Sequence, residues 1–89
     1  MSIPDGKVSI APGYRFQWEE AQQSHVLLYP EGMITLNPSA ALILQHCDGS
    51  RTGEQVIDTL QQQFPDADLR DDVIQFFDDA TDKGWIRFR

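Results

Sequence analysis

Tyr14, Phe16 and Trp18 alternate with Arg15, Gln17 and Glu19, the period of two expected of a strand with one buried face. After the polar loop from Glu20 to Ser24, His25 to Tyr29 forms a second strand. Tyr29-Pro30-Glu31-Gly32 is turn chemistry: Pro30 presets φ at the second turn position and Gly32 tolerates φ > 0. Met33-Ile34-Thr35-Leu36 is the returning strand. Short connections make an antiparallel meander the default, with the first and third strands at its edges. Sheet edges are usually blunted by Lys, Pro or a bulge, yet Met33 to Leu36 carries no charge and no proline. An edge left bare in this way invites an extended peptide.

The period then changes to that of helices. Asn37 is a good N-cap and Pro38 sits where a helix tolerates proline, so a helix is predicted from Pro38 to about Cys47, stopping near Asp48-Gly49. Thr52 and Gln55 make a capping box. Val56, Ile57, Leu60 and Phe64 follow at helical spacing, and Pro65 ends that helix. The short connection between the two makes a helical hairpin. A third helix opens at Asp68 or Leu69 and ends at Gly84, with Asp71 and Asp72 in its first turn and Lys83 in its last, matching the helix dipole. Val73, Phe76, Phe77 and Ala80 form its apolar stripe, and Ile74 lies off it, flanking the core or lining a neighbouring groove.

These elements predict an α+β fold, a three-stranded antiparallel sheet followed by three helices, of winged helix-turn-helix type. Residues 1–13, with two prolines and two glycines around the weak alternation of Val8 and Ile10, read as a flexible arm ending in a Pro12-Gly13 turn. Residues 14–89 read as one domain, and Trp85, Ile86 and Phe88 close the chain against the core.

Composition narrows the functional classes. The formal net charge is −7, from fourteen acids against seven bases, and ten of the acids lie from Asp48 onward. Such a surface repels phosphate and argues against nucleic acid and anionic membrane as partners. The late helix of a DNA-reading winged helix presents Lys or Arg, whereas Asp66 to Asp82 holds seven acids and one base, Arg70. The longest uninterrupted apolar run, Ala40 to Leu44, is five residues, where a membrane span needs about 20. The single cysteine, Cys47, excludes an intramolecular disulfide, and with no secretory pattern the chain reads as cytoplasmic.

Catalytic chemistry has little to stand on. His46 and Cys47 are adjacent on a helix and point about 100° apart, so they cannot easily serve one metal. Arg70 and Asp71 occupy positions where a calcium loop starting at Asp66 wants an oxygen ligand and a glycine. No phosphate loop, CxxC pair or GxSxG is present, so the chain reads as a non-enzyme without metal or cofactor.

Tyr14-Arg15-Phe16-Gln17-Trp18-Glu19, Ser24 to Met33, Leu36-Asn37, Ala40-Ala41, Ile43-Leu44, Asp48-Gly49, Asp72-Val73 and Gly84-Trp85 together resemble the PqqD family of pyrroloquinoline quinone biosynthesis, from about Pro12 to Ile86. Pro38-Ser39 departs from the Glu-Thr or similar pair expected after Asn37. The resemblance implies a precursor-peptide recognition element that binds and does not catalyse. It holds the ribosomally made peptide PqqA as an added strand and presents it to PqqE, a radical S-adenosylmethionine enzyme to which the iron-sulfur cluster belongs. Carried over by element, the cleft is formed by Met33, Ile34, Thr35 and Leu36 on one side and by Val73, Ile74, Phe76, Phe77 and Ala80 on the other. Of the strand residues, Ile34 and Leu36 are expected to face the core and Met33 and Thr35 to face away. The competing readings are a homodimeric adapter, in which the edge pairs with a second copy of the chain, and a winged-helix nucleic-acid-binding protein.

Overall fold

The computed structural model describes residues 3–89. In chain order the elements are β1 (Lys7–Ile10), β2 (Arg15–Glu19), β3 (Ser24–Tyr29), β4 (Gly32–Thr35), α1 (Pro38–Leu44), β5 (Asp48–Thr52), α2 (Gly53–Gln63), α3 (Arg70–Asp82) and β6 (Ile86–Phe88). The predicted meander is there as an antiparallel sheet of order β2-β3-β4, with Phe16, Leu27 and Ile34 in one cross-strand row. Among the described residues this makes β4 an edge.

A second antiparallel sheet, of order β5-β1-β6, lies outside the predicted plan. Residues 7–10, which the sequence pattern assigned to a loose arm, form its central strand, and Val8 is fully buried. The partners are Asp48–Thr52 and Ile86–Phe88, both far away in sequence, so no local pattern betrays the pairing. Residues 48–52, read above as a plain connection in a helical hairpin, are therefore a strand between α1 and α2. The remainder of the predicted arm, Met1 and Ser2, lies outside the described residues.

The helix ends follow their caps. The Asn37 side chain accepts from the Ala40 N–H at 2.8 Å, as its cap role predicts. The last turn of α1 then tightens, the His46 N–H reaching Ile43 and the Cys47 N–H reaching Leu44, so the regular helix ends before the predicted Cys47. Thr52 and Gln55 close the predicted capping box in both directions. Neither Asp68 nor any other side chain caps α3, whose first turn is tied to that of α2 by Arg70 donating to both carboxylate oxygens of Glu54, at 2.8 and 2.6 Å. At its other end Gly84, with φ +79°, lets the Gly84 N–H reach Thr81 and the Trp85 N–H reach Ala80, the two bonds of a Schellman motif. That motif delivers Trp85 to the surface beside α3 and starts β6.

One core joins both sheets to the helices. Leu27 from β3, Val8 from β1 and Ile86 from β6 meet Ala41 and Leu44 of α1, Val56, Ile57 and Leu60 of α2, and Val73, Phe77 and Ala80 of α3. Gly53 opens α2 where a Cβ would press on Ile3 and approach Phe77 and Phe88 at 3.3 Å, so the chain before β1 packs directly on the core.

Candidate functional site

The site begins with the hydrogen-bond parity of β4. The Leu36 N–H donates to the His25 carbonyl at 3.0 Å, which makes Leu36 and His25 a hydrogen-bonded pair. Antiparallel ladders alternate, so Ile34 with Leu27 and Gly32 with Tyr29 are the other bonded pairs along this register. Met33 and Thr35, opposite Leu28 and Val26, are the non-bonded positions. Their N–H and C=O groups therefore point off the open edge, four backbone hydrogen-bonding groups in a row without a strand to pair with among the described residues.

Side-chain facing agrees with expectation. Ile34 packs against the core and Leu36 is 6% exposed, while Met33 is 41% exposed and Thr35 is exposed on the other face.

An open groove of about 400 Å³ runs from the end of this strand to α3. Thr35, Leu36, Ala40 and Ile43 line one side. Asp72, Phe76, Asp79 and Lys83 line the other, and Trp85 adds to the lining. Asp72, Phe76 and Asp79 of α3 and its C-cap Lys83 fall at i, i+4, i+7 and i+11, one stripe of the helix. The Lys83 ammonium lies over the Trp85 ring, 5.1 Å from its centroid, and the Asp79 carboxylate accepts from Gln75 at 3.1 Å.

Of the α3 residues expected at the cleft, only Phe76 lines this groove with Thr35 and Leu36. Val73 and Phe77 are each 2% exposed and Ala80 is fully enclosed, so these three are core residues. Ile74 lies on the opposite flank of α3, in a second groove of about 450 Å³ shared with Ile3, Pro4, Asp78 and Phe88. The expected wall thus divides between the β4 groove, the core and a separate groove. Ile43, Asp72, Asp79, Lys83 and Trp85 were missed because an apolar stripe marks the buried side of a helix, and the groove wall is mixed in polarity. The signal available was the spacing of Asp72, Phe76, Asp79 and Lys83.

The groups with reactive chemistry lie elsewhere. Cys47 is buried, its thiol donates to the Ile43 carbonyl at 3.4 Å, and burial, with Asp48 adding to it, pushes its pKa up to about 12. A thiol held protonated in this way is a weak nucleophile at neutral pH. Desolvation and the nearby Arg51 lower the pKa of His46, against an opposing effect of Asp48, and its Nε2 has no hydrogen-bond partner among the described residues. No group of three or more His, Cys, Asp or Glu side chains among the described residues is placed to hold a metal ion. No helix among them is long and apolar enough to cross a membrane.

Two three-stranded sheets, three helices and a strand edge unpaired among the described residues, opening onto a helix-walled groove, define an α+β domain of winged-helix-like type. Residues 24–86 match the family model described as Coenzyme PQQ synthesis protein D (PqqD), and the chain belongs to this family. It is 53% identical over 75 residues to the PqqA binding protein of Acinetobacter baylyi, covering 83% of this chain and 76% of that one. It is 57% identical over 76 residues to the PqqA binding protein of Pseudomonas entomophila, covering 84% of each. The solution NMR structure of the PqqD truncation of Methylobacterium extorquens PqqCD, described as a functional, stand-alone recognition element for ribosomally synthesized and post-translationally modified peptides, superposes with a TM-score of 0.70. That match covers 90% of this chain and 87% of the other, at 28% identity.

Proposed function

We propose that this protein binds a PqqA-like precursor peptide as an added strand on β4 and presents it to a PqqE-like radical S-adenosylmethionine enzyme in pyrroloquinoline quinone biosynthesis. The observation that carries the reading is the row of outward N–H and C=O groups on Met33 and Thr35. Backbone groups recognise an extended peptide whatever its side chains, and the adjoining groove supplies selectivity for one apolar side chain at Leu36, Ile43 and Phe76. The relatives named for PqqA binding support the choice of peptide. In this reading the protein is a cytoplasmic, non-catalytic carrier, and the cluster and S-adenosylmethionine belong to its partner enzyme. Of the residues expected at the cleft, Met33, Thr35, Leu36 and Phe76 contact the peptide, Ile34 holds the edge in register, and Val73, Phe77 and Ala80 support the wall from behind.

Amide shifts of the isotopically labelled protein during titration with the precursor peptide test this. Shifts concentrated at Met33, Thr35 and Leu36 and along Asp72 to Lys83 are expected. Shifts centred on Ile74 and Phe88 would move the peptide to the other flank of α3. A peptide-independent doubling of mass in solution that is abolished by a proline at Thr35 would assign the edge to a second copy of this chain instead.

A further inference from the structure

Three of the seven Lys and Arg side chains of this chain lie together on one sheet face. In β1, Val8 and Ile10 point into the core, so Lys7 and Ser9 point outward. In β6, Ile86 and Phe88 face the same core, which turns Arg87 outward opposite Ser9. The Lys7 N–H donates to the Arg89 carbonyl at 2.6 Å and the Arg89 N–H to the Lys7 carbonyl at 2.8 Å, so these two residues are direct cross-strand neighbours on that face. Like charges placed opposite each other destabilise a sheet. No acidic side chain among the described residues forms an ion pair with them, the ion pairs there being Arg51 with Asp48 and Arg70 with Glu54. On β5 the face is completed by Asp48 beside Ser9 and Thr52 beside Lys7, and Asp48 is already engaged by Ser50 and Arg51. The Nε of Arg87 is enclosed and has no acceptor among the described residues. Three cations without an ion-pair partner among the described residues therefore share one side of a molecule whose net charge is −7. None of them lines the groove beside β4.

We infer that the outer face of the β5-β1-β6 sheet, through Lys7, Arg87 and Arg89, docks an acidic patch on the peptide-modifying enzyme while the peptide occupies the β4 groove. The inference rests on the proposed function for the existence of that partner and goes beyond it in assigning the surface. Arginine forks match carboxylates in geometry as well as charge. The overall negative charge repels extended polyanions such as nucleic acid or an anionic bilayer, whereas a local carboxylate patch on a folded protein meets only the local cations. Separate surfaces for peptide and enzyme allow both to be bound at once.

The test uses the full chain as wild type, a K7E/R87E/R89E variant and a neutral K7Q/R87Q/R89Q variant, each checked for fold by circular dichroism. Binding to the purified PqqE-like enzyme and to the precursor peptide is measured separately, at low and high salt. Enzyme affinity is expected to fall about tenfold or more in the reversed variant and less in the neutral one, with peptide affinity unchanged and wild-type enzyme binding weakened by salt. The neutral variant decides the matter if the reversed one does not fold. Enzyme affinity unaltered in a folded variant overturns the docking face and leaves the peptide reading intact. Absence of wild-type enzyme binding overturns the docking face together with the presentation step. Wild-type binding to anionic phospholipid vesicles that is lost in the variants, with enzyme binding retained, reassigns the face to a membrane.

Discussion

Thr35 stands directly opposite Val26 in a pair that exchanges no hydrogen bonds, so the Thr35 N–H and C=O point off the sheet while the Val26 side chain is fully buried. The preceding residue has the reverse assignment: Ile34 is bonded to Leu27 within the ladder and packs on the core.

Proline substitution separates the two positions. Thr35→Pro removes an N–H that no strand among the described residues uses, and edge strands tolerate proline. It is expected to leave the melting temperature nearly unchanged and to weaken peptide binding by about five- to tenfold, the net value of one hydrogen bond. Ile34→Pro removes a ladder donor and disturbs buried packing, so the loss appears first in stability, at roughly 1 kcal/mol or more. Isothermal titration and chemical denaturation of both variants check the contrast. Full peptide affinity in folded Thr35→Pro protein would sink the added-strand reading.

Adjacent phenylalanines on α3 have opposite roles. Phe76 lines the groove beside β4, whereas Phe77 is 2% exposed and packs edge-on against Phe88, ring centroids 5.5 Å apart. Phe77→Ala should cost about 3–5 kcal/mol in urea unfolding through lost contacts and a residual cavity. Phe76→Ala should cost clearly less in unfolding and reduce peptide affinity, because its ring walls the groove. Equal destabilisation by both, with peptide binding untouched in Phe76→Ala, would mean that the groove wall is structural only.

The pattern of legibility has a physical basis. Asn37, Thr52 with Gln55, and Gly84 act within a turn of their own positions, and each was found where local chemistry put it. The β2-β3-β4 meander joins neighbours through short turns and was legible for the same reason. The second sheet was not, since β1 finds its partners about forty and eighty residues away and β5, Asp-Gly-Ser-Arg-Thr, has no apolar alternation to announce a strand. The site followed the same division. Four consecutive residues lacking charge mark the edge, while the facing wall of the groove alternates acid, aromatic and base along one helical stripe; of the apolar α3 residues expected there, Phe76 lines the groove, Ile74 lies in a second groove, and Val73, Phe77 and Ala80 are core.

The return of the chain end to β1 depends on Gly6. Its φ of +96° is a conformation that other residues adopt at a cost, and a Cβ there would lie 2.7 Å from the Arg89 carbonyl carbon. Gly13 has a similar φ of +92°, with nothing within 4 Å of a Cβ. Gly13→Ala therefore isolates the backbone strain, about 1–2 kcal/mol, and Gly6→Ala adds a backbone collision to it. Hydrogen exchange should show Gly6→Ala opening the Lys7 and Arg89 amides, which bond each other's carbonyls, while Gly13→Ala leaves them protected. Equal effects of the two substitutions would remove the collision as a cause.

Cys47 gives the fold a dependence on alkaline pH. Its thiol rises from an ordinary 9.0 to about 12 because the folded core disfavours the thiolate. A pKa raised on folding stabilises the native state fully below the unfolded value, and that stability is lost as pH climbs from about 9 toward about 12, since only the unfolded chain releases the proton. Across about three units the loss is on the order of 4 kcal/mol. Cys47→Ala removes this contribution while losing some stability at neutral pH to the smaller side chain. The stability difference between wild type and variant should therefore be largest at neutral pH and shrink or reverse by pH 10 to 11. Parallel urea-unfolding curves for the two proteins at pH 7 and pH 10.5, with an unchanged gap between them, would show that the Cys47 thiol titrates alike in the folded and unfolded chains.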